Sequence, residues 1–293
     1  MAGLTREEQI GIVKDVHDTL EEMLHDLITL YSKNYEMDLI RMPRKVDTGD
    51  KNIWMIWLQG REQAPELVEA CIRSVERYKP DGYTIRLLSL DNIDTYVTVP
   101  EYIRTLLSNP DFPKAVFTDF VRSQLLYLYG GIWMDATYFV TQKMDFADQY
   151  SFFTLKQKYD PDPQFIANDR WTTNFMKAEA GNILYRFVTN AFCNYFMLTQ
   201  QLINYYLIDF LIDLAYNHIE EVGRIIDQVP LTTPHYLQLL DRLSDPFDAD
   251  YFKKLQEDTS LFKLTYRGNL LLTSREGQDT YYKKILEQFK EDS

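Results

Sequence analysis

The chain has 293 residues, 45% of them hydrophobic, which is ample for one large α/β unit with a sizeable core and excludes wholesale disorder. Its formal net charge of -13 argues against nucleic acid as a partner, and it means that an anionic small substrate needs local positive charge or a metal. No run of about 18 apolar residues is present, so no helix of this sequence is expected to span a membrane.

The N-terminal stretch lacks the apolar core of a signal peptide. Cys71 and Cys193 lie in helix-like apolar runs without pairing or metal spacing and read as buried reduced thiols. A cytoplasmic location is the expectation, with room for peripheral membrane association. Residues 5–40 keep an apolar spacing of three to four (Ile10, Val13, Val16, Leu20, Leu24, Leu27, Leu30) and predict a helix. Residues 1–45 are therefore expected to form an N-terminal helical extension to one compact domain over 46–293.

After the polar break "RKVDTGDKN", "IWMIWLQG" (53–60) reads as a buried strand. "PELVEACIRSVERY" (65–78) reads as a helix with Pro65 in its first turn, and "YTIRLLSL" (83–90) as the next strand. This strand–helix–strand order predicts a parallel unit. In "FTDFVRSQLLYLYGGIWMDAT" (117–137), Phe117, Val121, Leu125 and Leu128 share one face of a helix that Gly130-Gly131 ends. "IWM" is then a short strand with Asp135 at its carboxyl end, where open α/β sheets gather ligands. The second half reads as mostly helical: 183–198 and 199–221 as two helices or one long bent one, then a strand and turn in "LFKLTYRGNLLL", then a closing helix.

Asp119 and Arg122 are three apart on their helix and share a face. An exposed ion pair of little consequence is one reading. The other has the chain fold back through Gly-Gly, so that Asp119, Arg122 and Asp135 converge on one cleft. A carboxylate at a strand tip suits Mg²⁺ or Mn²⁺, and a guanidinium suits phosphate or sugar hydroxyls. Stepping by four from Gln201 gives Tyr205, Asp209, Asp213 and Asn217, a polar ridge on an otherwise apolar helix. It faces either solvent or a wet acceptor cleft.

The order T-D-x-x-R, then L-x-x-Y-G-G-I-W-x-D-A-T, resembles the "DXD" sugar transferases, and more narrowly the capsular polysaccharide synthesis proteins of the glycosyltransferase family 32 kind. "IWMIWLQGREQAPELVEACIRSV", "RWTTNFMKAEAGN" and "INYYLIDFLIDLAY" share that look, so the resemblance covers roughly residues 50–285. It implies a GT-A fold, a Rossmann-like nucleotide-diphospho-sugar transferase with a mainly parallel central sheet. Residues 50–150 would be the nucleotide-sugar-binding half, and 151–293 a mainly helical acceptor-side half. The implied activity is transfer of a hexose-type sugar, with retention, from a nucleotide diphosphate sugar such as a UDP-sugar to a glycan, lipid-linked glycan or glycoprotein acceptor. A divalent cofactor, Mn²⁺ or Mg²⁺, is implied as well.

Carried over by position, Trp57 would stack on the base, with Trp54 able to fill the same role and core packing the alternative for both. Asp119 would touch ribose or sugar hydroxyls, Arg122 the donor sugar, and Trp133 would pack beside the nucleotide. Asp135 would be the first acid of the metal motif. The second acid is replaced by Thr137, whose uncharged hydroxyl is a poorer metal ligand. The resemblance also places an acid near Asp209 in the acceptor cleft. Asp213, His235, Trp171, Asn174, Lys263 and Arg267 are further candidate contacts, with structural roles as their alternatives. Two rival readings rest on the same residues: a non-catalytic glycan- or nucleotide-binding protein, supported by Thr137, and a haloacid dehalogenase-type phosphatase, whose D-x-D-x-T pattern the sequence meets poorly.

Overall fold

The computed structural model describes residues 5–33, 44–49, 51–156 and 165–289. Helix α1 (Arg6–Lys33) opens on a reciprocal cap: the Thr5 amide donates to the Glu8 carboxylate at 2.7 Å and the Glu8 amide to the Thr5 hydroxyl at 3.3 Å. Leu20, Leu24 and Leu27 are its buried stripe and join the main core, whereas Val16, expected on the same seam, is 48% exposed. The expected continuation over 34–40 lies outside the described residues. No helix among those described is long and apolar enough to cross a membrane.

Strand β1 (Asn52–Ile56) is followed by α2 (Glu66–Tyr78) and β2 (Thr84–Leu88). Two single-turn helices, α3 (Ile93–Tyr96) and α4 (Glu101–Arg104), lead to α5 (Lys114–Leu128) and β3 (Gly131–Met134). Then come β4 (Tyr138–Val140), β5 (Phe152–Thr154) and β6 (Phe175–Ala178). The helical half holds α6 (Ile183–Thr199), α7 (Leu207–His218), α8 (Glu220–Asp227) and α9 (Ala249–Leu255). Strand β7 (Leu261–Lys263) and α10 (Tyr281–Gln288) close the chain.

The central sheet has the order β2-β1-β3-β6-β5. β2, β1 and β3 are parallel, β6 is reversed, and β5 returns to the common direction, so the sheet is mixed but mainly one-way. α1, α6 and α7 pack together, and α5 lies on α6 and the sheet. A smaller sheet pairs β4 with β7, antiparallel, with Tyr138 opposite Lys263. Around it a second core cluster gathers Leu67, Cys71, Phe139, Phe262 and Tyr281, so α10 is fastened to α2. Both cysteines are buried and free.

The expected long helix over 199–221 is broken. Gln200 takes a left-handed conformation (φ 50) and caps α6. The Tyr195 hydroxyl then holds the next segment, donating to the Gln201 carbonyl at 2.6 Å and accepting from the Ile203 amide at 2.8 Å. Absence of Gly and Pro permits a helix but does not compel one; here a buried side chain captures the backbone and α7 restarts after Tyr206.

The Gly130-Gly131 turn is needed for two reasons. Both residues have positive φ (64 and 92), and a β-carbon on Gly131 would stand 2.4 Å from the Asn52 carbonyl oxygen. That approach seats β3 against β1, and Trp54 seals it by donating to the Gly130 carbonyl at 2.8 Å. Gly131→Ala is expected to destabilise the fold by more than about 2 kcal/mol in urea unfolding. Gly11→Ala, on exposed α1 with open space around it, is expected to stabilise by about 0.5–1 kcal/mol. Equal effects would show that the approach to Asn52 is not a constraint.

Candidate functional site

A cleft of about 630 Å³ opens where the carboxyl ends of β1 and β3 meet the first turn of α5 and the segment after β7. This is the position at which parallel strands end and ligands of such sheets gather. Trp57 follows β1 and makes an edge contact with Tyr266, ring centroids 5.2 Å apart. Its indole Nε1 is buried and has no hydrogen-bond partner among the described residues. Trp54, three residues earlier, is fully buried and bonded to Gly130, so core packing is its role.

Lys114, Lys263 and Arg267 line the cleft, against Asp135 as its lining acid. Lys114 and Arg267 form no ion pair among the described residues. The first turn of α5 also faces this space through Lys114, Ala115 and Thr118, with Pro113 offering no side-chain cap. Uncapped amides and the helix dipole add positive potential there.

Of the two readings of the Asp119–Arg122 pair, the exposed one fails, because the pair forms but is buried. Arg122 is 3% exposed and ion-paired to Asp119. It also donates to the Thr173 carbonyl, and its guanidinium lies 5.2 Å from the centre of the Trp133 ring. At the edge of the same ring, Trp133 Nε1 donates to the Asp135 carboxylate at 3.2 Å. Arg122 and Asp135 thus contact a single indole. Burial raises the Asp119 carboxyl above the ordinary range; Asp209 and Asp135 raise it further, and Arg122 pulls it back. Asp135 is fixed through its backbone, which donates to the Asn174 carbonyl at 2.9 Å. Its carboxylate is 3.2 Å from the Lys263 ammonium, which also donates to the Thr137 hydroxyl.

Residues 171–174 line a second cavity of about 300 Å³, together with Tyr206, Asp209, Phe210 and His17 among others; they are not lining residues of the strand-end cleft. Asp209 accepts from the Trp171 indole at 2.9 Å. The Asn174 side chain accepts from the Tyr138 hydroxyl. The polar ridge drawn through 201–217 is not one surface, because α7 begins only at Leu207. Asp213 is buried in a pair with Arg170 at 2.5 Å and accepts from Asn217 at 3.0 Å, so it is not a wall of the cavity. His235 lines neither space; its Nε2 is 3.5 Å from Asp258, which favours its structural reading. Tyr205, read from the sequence only as a member of the polar ridge, belongs to the cleft, as do Lys114 and Tyr266, which were not read from the sequence. Lys114 sits beside Pro113 at a helix start, and Tyr266 is the neighbour of Arg267; those are the signals that point to them.

A family profile described as capsular polysaccharide synthesis protein matches residues 6–285. The match runs back through α1, further than the motifs alone suggest. O-glycosyltransferase braB of Annulohypoxylon truncatum is 35% identical over 107 residues, 33% of this chain and 25% of that protein. The chain thus matches about a quarter of the length of that curated relative. A solved structure, the PaToxG glycosyltransferase, is similar over 71% of this chain and 84% of its own, with 14% identity and a TM-score of 0.40.

Burial pushes the Asp209 carboxyl up to about 6; the Trp171 hydrogen bond and the Arg122 charge oppose this, and Asp213 adds to it. The folded chain therefore holds a proton that the unfolded chain releases near pH 3.9. The stability from this group is full below that value and is lost as pH rises through about 6. Asp209→Asn removes the loss, so its melting temperature is expected to gain on that of the wild type by a few °C between pH 5 and about 7.5. A constant difference across that range, measured by circular dichroism, would place the carboxyl at its ordinary value.

Proposed function

The chain belongs to the capsular polysaccharide synthesis protein family, and on that premise we propose that it is a glycosyltransferase. It moves a hexose-type sugar from a nucleotide diphosphate sugar, with UDP the expected nucleotide, to a glycan, lipid-linked glycan or glycoprotein acceptor. One observation carries the reading. A chain of formal charge -13 gathers Lys114, Lys263 and Arg267 in a cleft at the strand ends, beside an uncapped helix start and under exposed aromatic rings. A diphosphate carries the complementary charge, and a flat base matches the Trp57–Tyr266 edge.

In this reading the base lies against Trp57 and Tyr266, and the diphosphate lies among the three cations. The sugar reaches toward Asp135, Arg122 and Asp119. Residues 50–150 supply most of the donor wall, and Lys263, Tyr266 and Arg267 from the C-terminal half close it. The acceptor enters from the cavity that holds Trp171 and Asp209. In the transfer, an acceptor hydroxyl oxygen bonds to the anomeric carbon while the bond from that carbon to the diphosphate oxygen breaks. The electron pair leaves with the diphosphate, and the hydroxyl proton passes to its departing oxygen. Retention follows when both groups use the same face of the sugar. Catalysis comes from positioning and from preorganised positive charge at the leaving oxygen.

The divalent ion that the resemblance implies would have Asp135 and Thr137 as its protein ligands, and Lys263 already engages both. Among the described residues no group of three or more His, Cys, Asp or Glu is placed to hold a metal. The donor set does not fit a divalent ion while Lys263 stays, and no step is routed through one.

A thermal-shift panel of UDP-, GDP- and ADP-sugars, followed by assay for released nucleoside diphosphate, tests the reading. One nucleotide is expected to raise the melting temperature by several °C, and Arg267→Ala or Lys114→Ala to weaken its binding about five- to tenfold each. Binding without turnover on any acceptor would favour the non-catalytic reading. No shift with any donor would overturn the nucleotide-sugar assignment.

A further inference from the structure

We propose that the Lys263 ammonium, seated between Asp135 and Thr137, takes the place of a divalent cation, so that this chain binds the diphosphate of its donor without a metal. The inference rests on the nucleotide-sugar reading and extends it. Lys263 is held on both sides of its Cα. Its amide donates to the Tyr236 carbonyl at 2.7 Å, and the next amide, Leu264, donates to the Thr137 carbonyl at 2.9 Å. The β4–β7 register sets it opposite Tyr138, whose ring centre lies 5.8 Å from the ammonium. The side chain is 18% exposed, enough to meet a ligand yet well screened from bulk water.

An ammonium has three donors. Here Asp135 and Thr137 take two, which leaves one for a phosphate oxygen. The charges balance as well. One ammonium against one carboxylate sums to zero, the same as a divalent ion held between two carboxylates. A second acid at position 137 beside Lys263 would leave the spot negative and repel a diphosphate; a neutral threonine does not. Thr137 is therefore the residue that an internal cation requires, and it is the residue that makes a metal site poor. For a divalent ion to enter, one carboxylate and one hydroxyl would be its protein ligands while a neighbouring ammonium, already bonded to both, repelled it. Lys114 and Arg267, on the same cleft, provide the remaining positive charge.

The test uses the intact chain, stripped with EDTA, and titration calorimetry with UDP, GDP and ADP in EDTA and in MnCl₂ buffers. The tightest of the three is expected to bind with affinities within about twofold in the two buffers. Lys263→Met, which keeps the apolar stem, is expected to lose at least about tenfold in EDTA, and Lys263→Arg to retain most of the affinity. Mn²⁺ paramagnetic resonance of the wild type with that nucleotide is expected to show no protein-held ion. Binding that needs Mn²⁺, or a Lys263→Met variant with unchanged affinity in EDTA, overturns the proposal while leaving the transferase reading intact. No binding in either buffer overturns both. Near-ultraviolet circular dichroism checks that the variants are folded; should Lys263→Met fail to fold, the wild-type comparison between buffers still decides.

Discussion

A buried guanidinium has to be matched, and the arrangement around Arg122 follows from that constraint. At 3% exposure an uncompensated positive charge would cost several kcal/mol. Arg122 meets the requirement with three elements at once: Asp119 on its own helix, the Thr173 carbonyl ahead of β6, and the face of Trp133 on β3. Its Nε finds no partner among the described residues, so the matching is incomplete. Of these partners, Trp133 lines the cleft and Thr173 the second cavity, whereas Asp119 is among the lining residues of neither. A group that must be neutralised in the interior thereby fixes the relative positions of α5, β3 and the 171–174 segment.

From that anchor the two cavities acquire different electrostatic characters. The strand-end cleft is cationic on its walls, and Asp135 is drawn into a pair with Lys263. The second cavity holds Asp209 beside Trp171 with a raised proton affinity. Asp119 lies between them and feels both Asp135 and Asp209. A strongly acidic chain has thus set a cation-lined cleft apart from a cavity that holds a buried carboxyl. No described residue lines both, but they are linked through the 173–174 backbone, whose Thr173 carbonyl serves Arg122 and whose Asn174 carbonyl serves Asp135.

Much of this was legible in the residues because it depends on local physics. The strand "IWMI", the helix opened by Pro65 and the helix ended by Gly130-Gly131 are short-range patterns, and β1, α2, α5 and β3 fall where those patterns put them. Asp135 at a strand tip follows from strand length alone, whereas Trp57, read as part of a strand over 53–60, proves to lie just past the end of β1. The ordered motif set pointed to the family that the profile confirms. By contrast, the residues left two helices and one long bent helix equally open at 198–199, and they put the second helix at 199, whereas α7 starts only at Leu207; the side chain that holds the intervening segment, Tyr195, acts on backbone several residues away.

What the sequence by itself determined was the class of fold, the strand ends that carry the cleft, and the acids and cations available to it. What only the tertiary structure decided was their pairing. Asp213 went to Arg170, His235 to Asp258, and Lys263, over a hundred residues distant in the chain, to Asp135 and Thr137. The reason is physical: spacing along a helix or strand fixes which side chains share a face, whereas a charge's partner is set by packing between elements, here the β4–β7 register, which the local pattern does not encode.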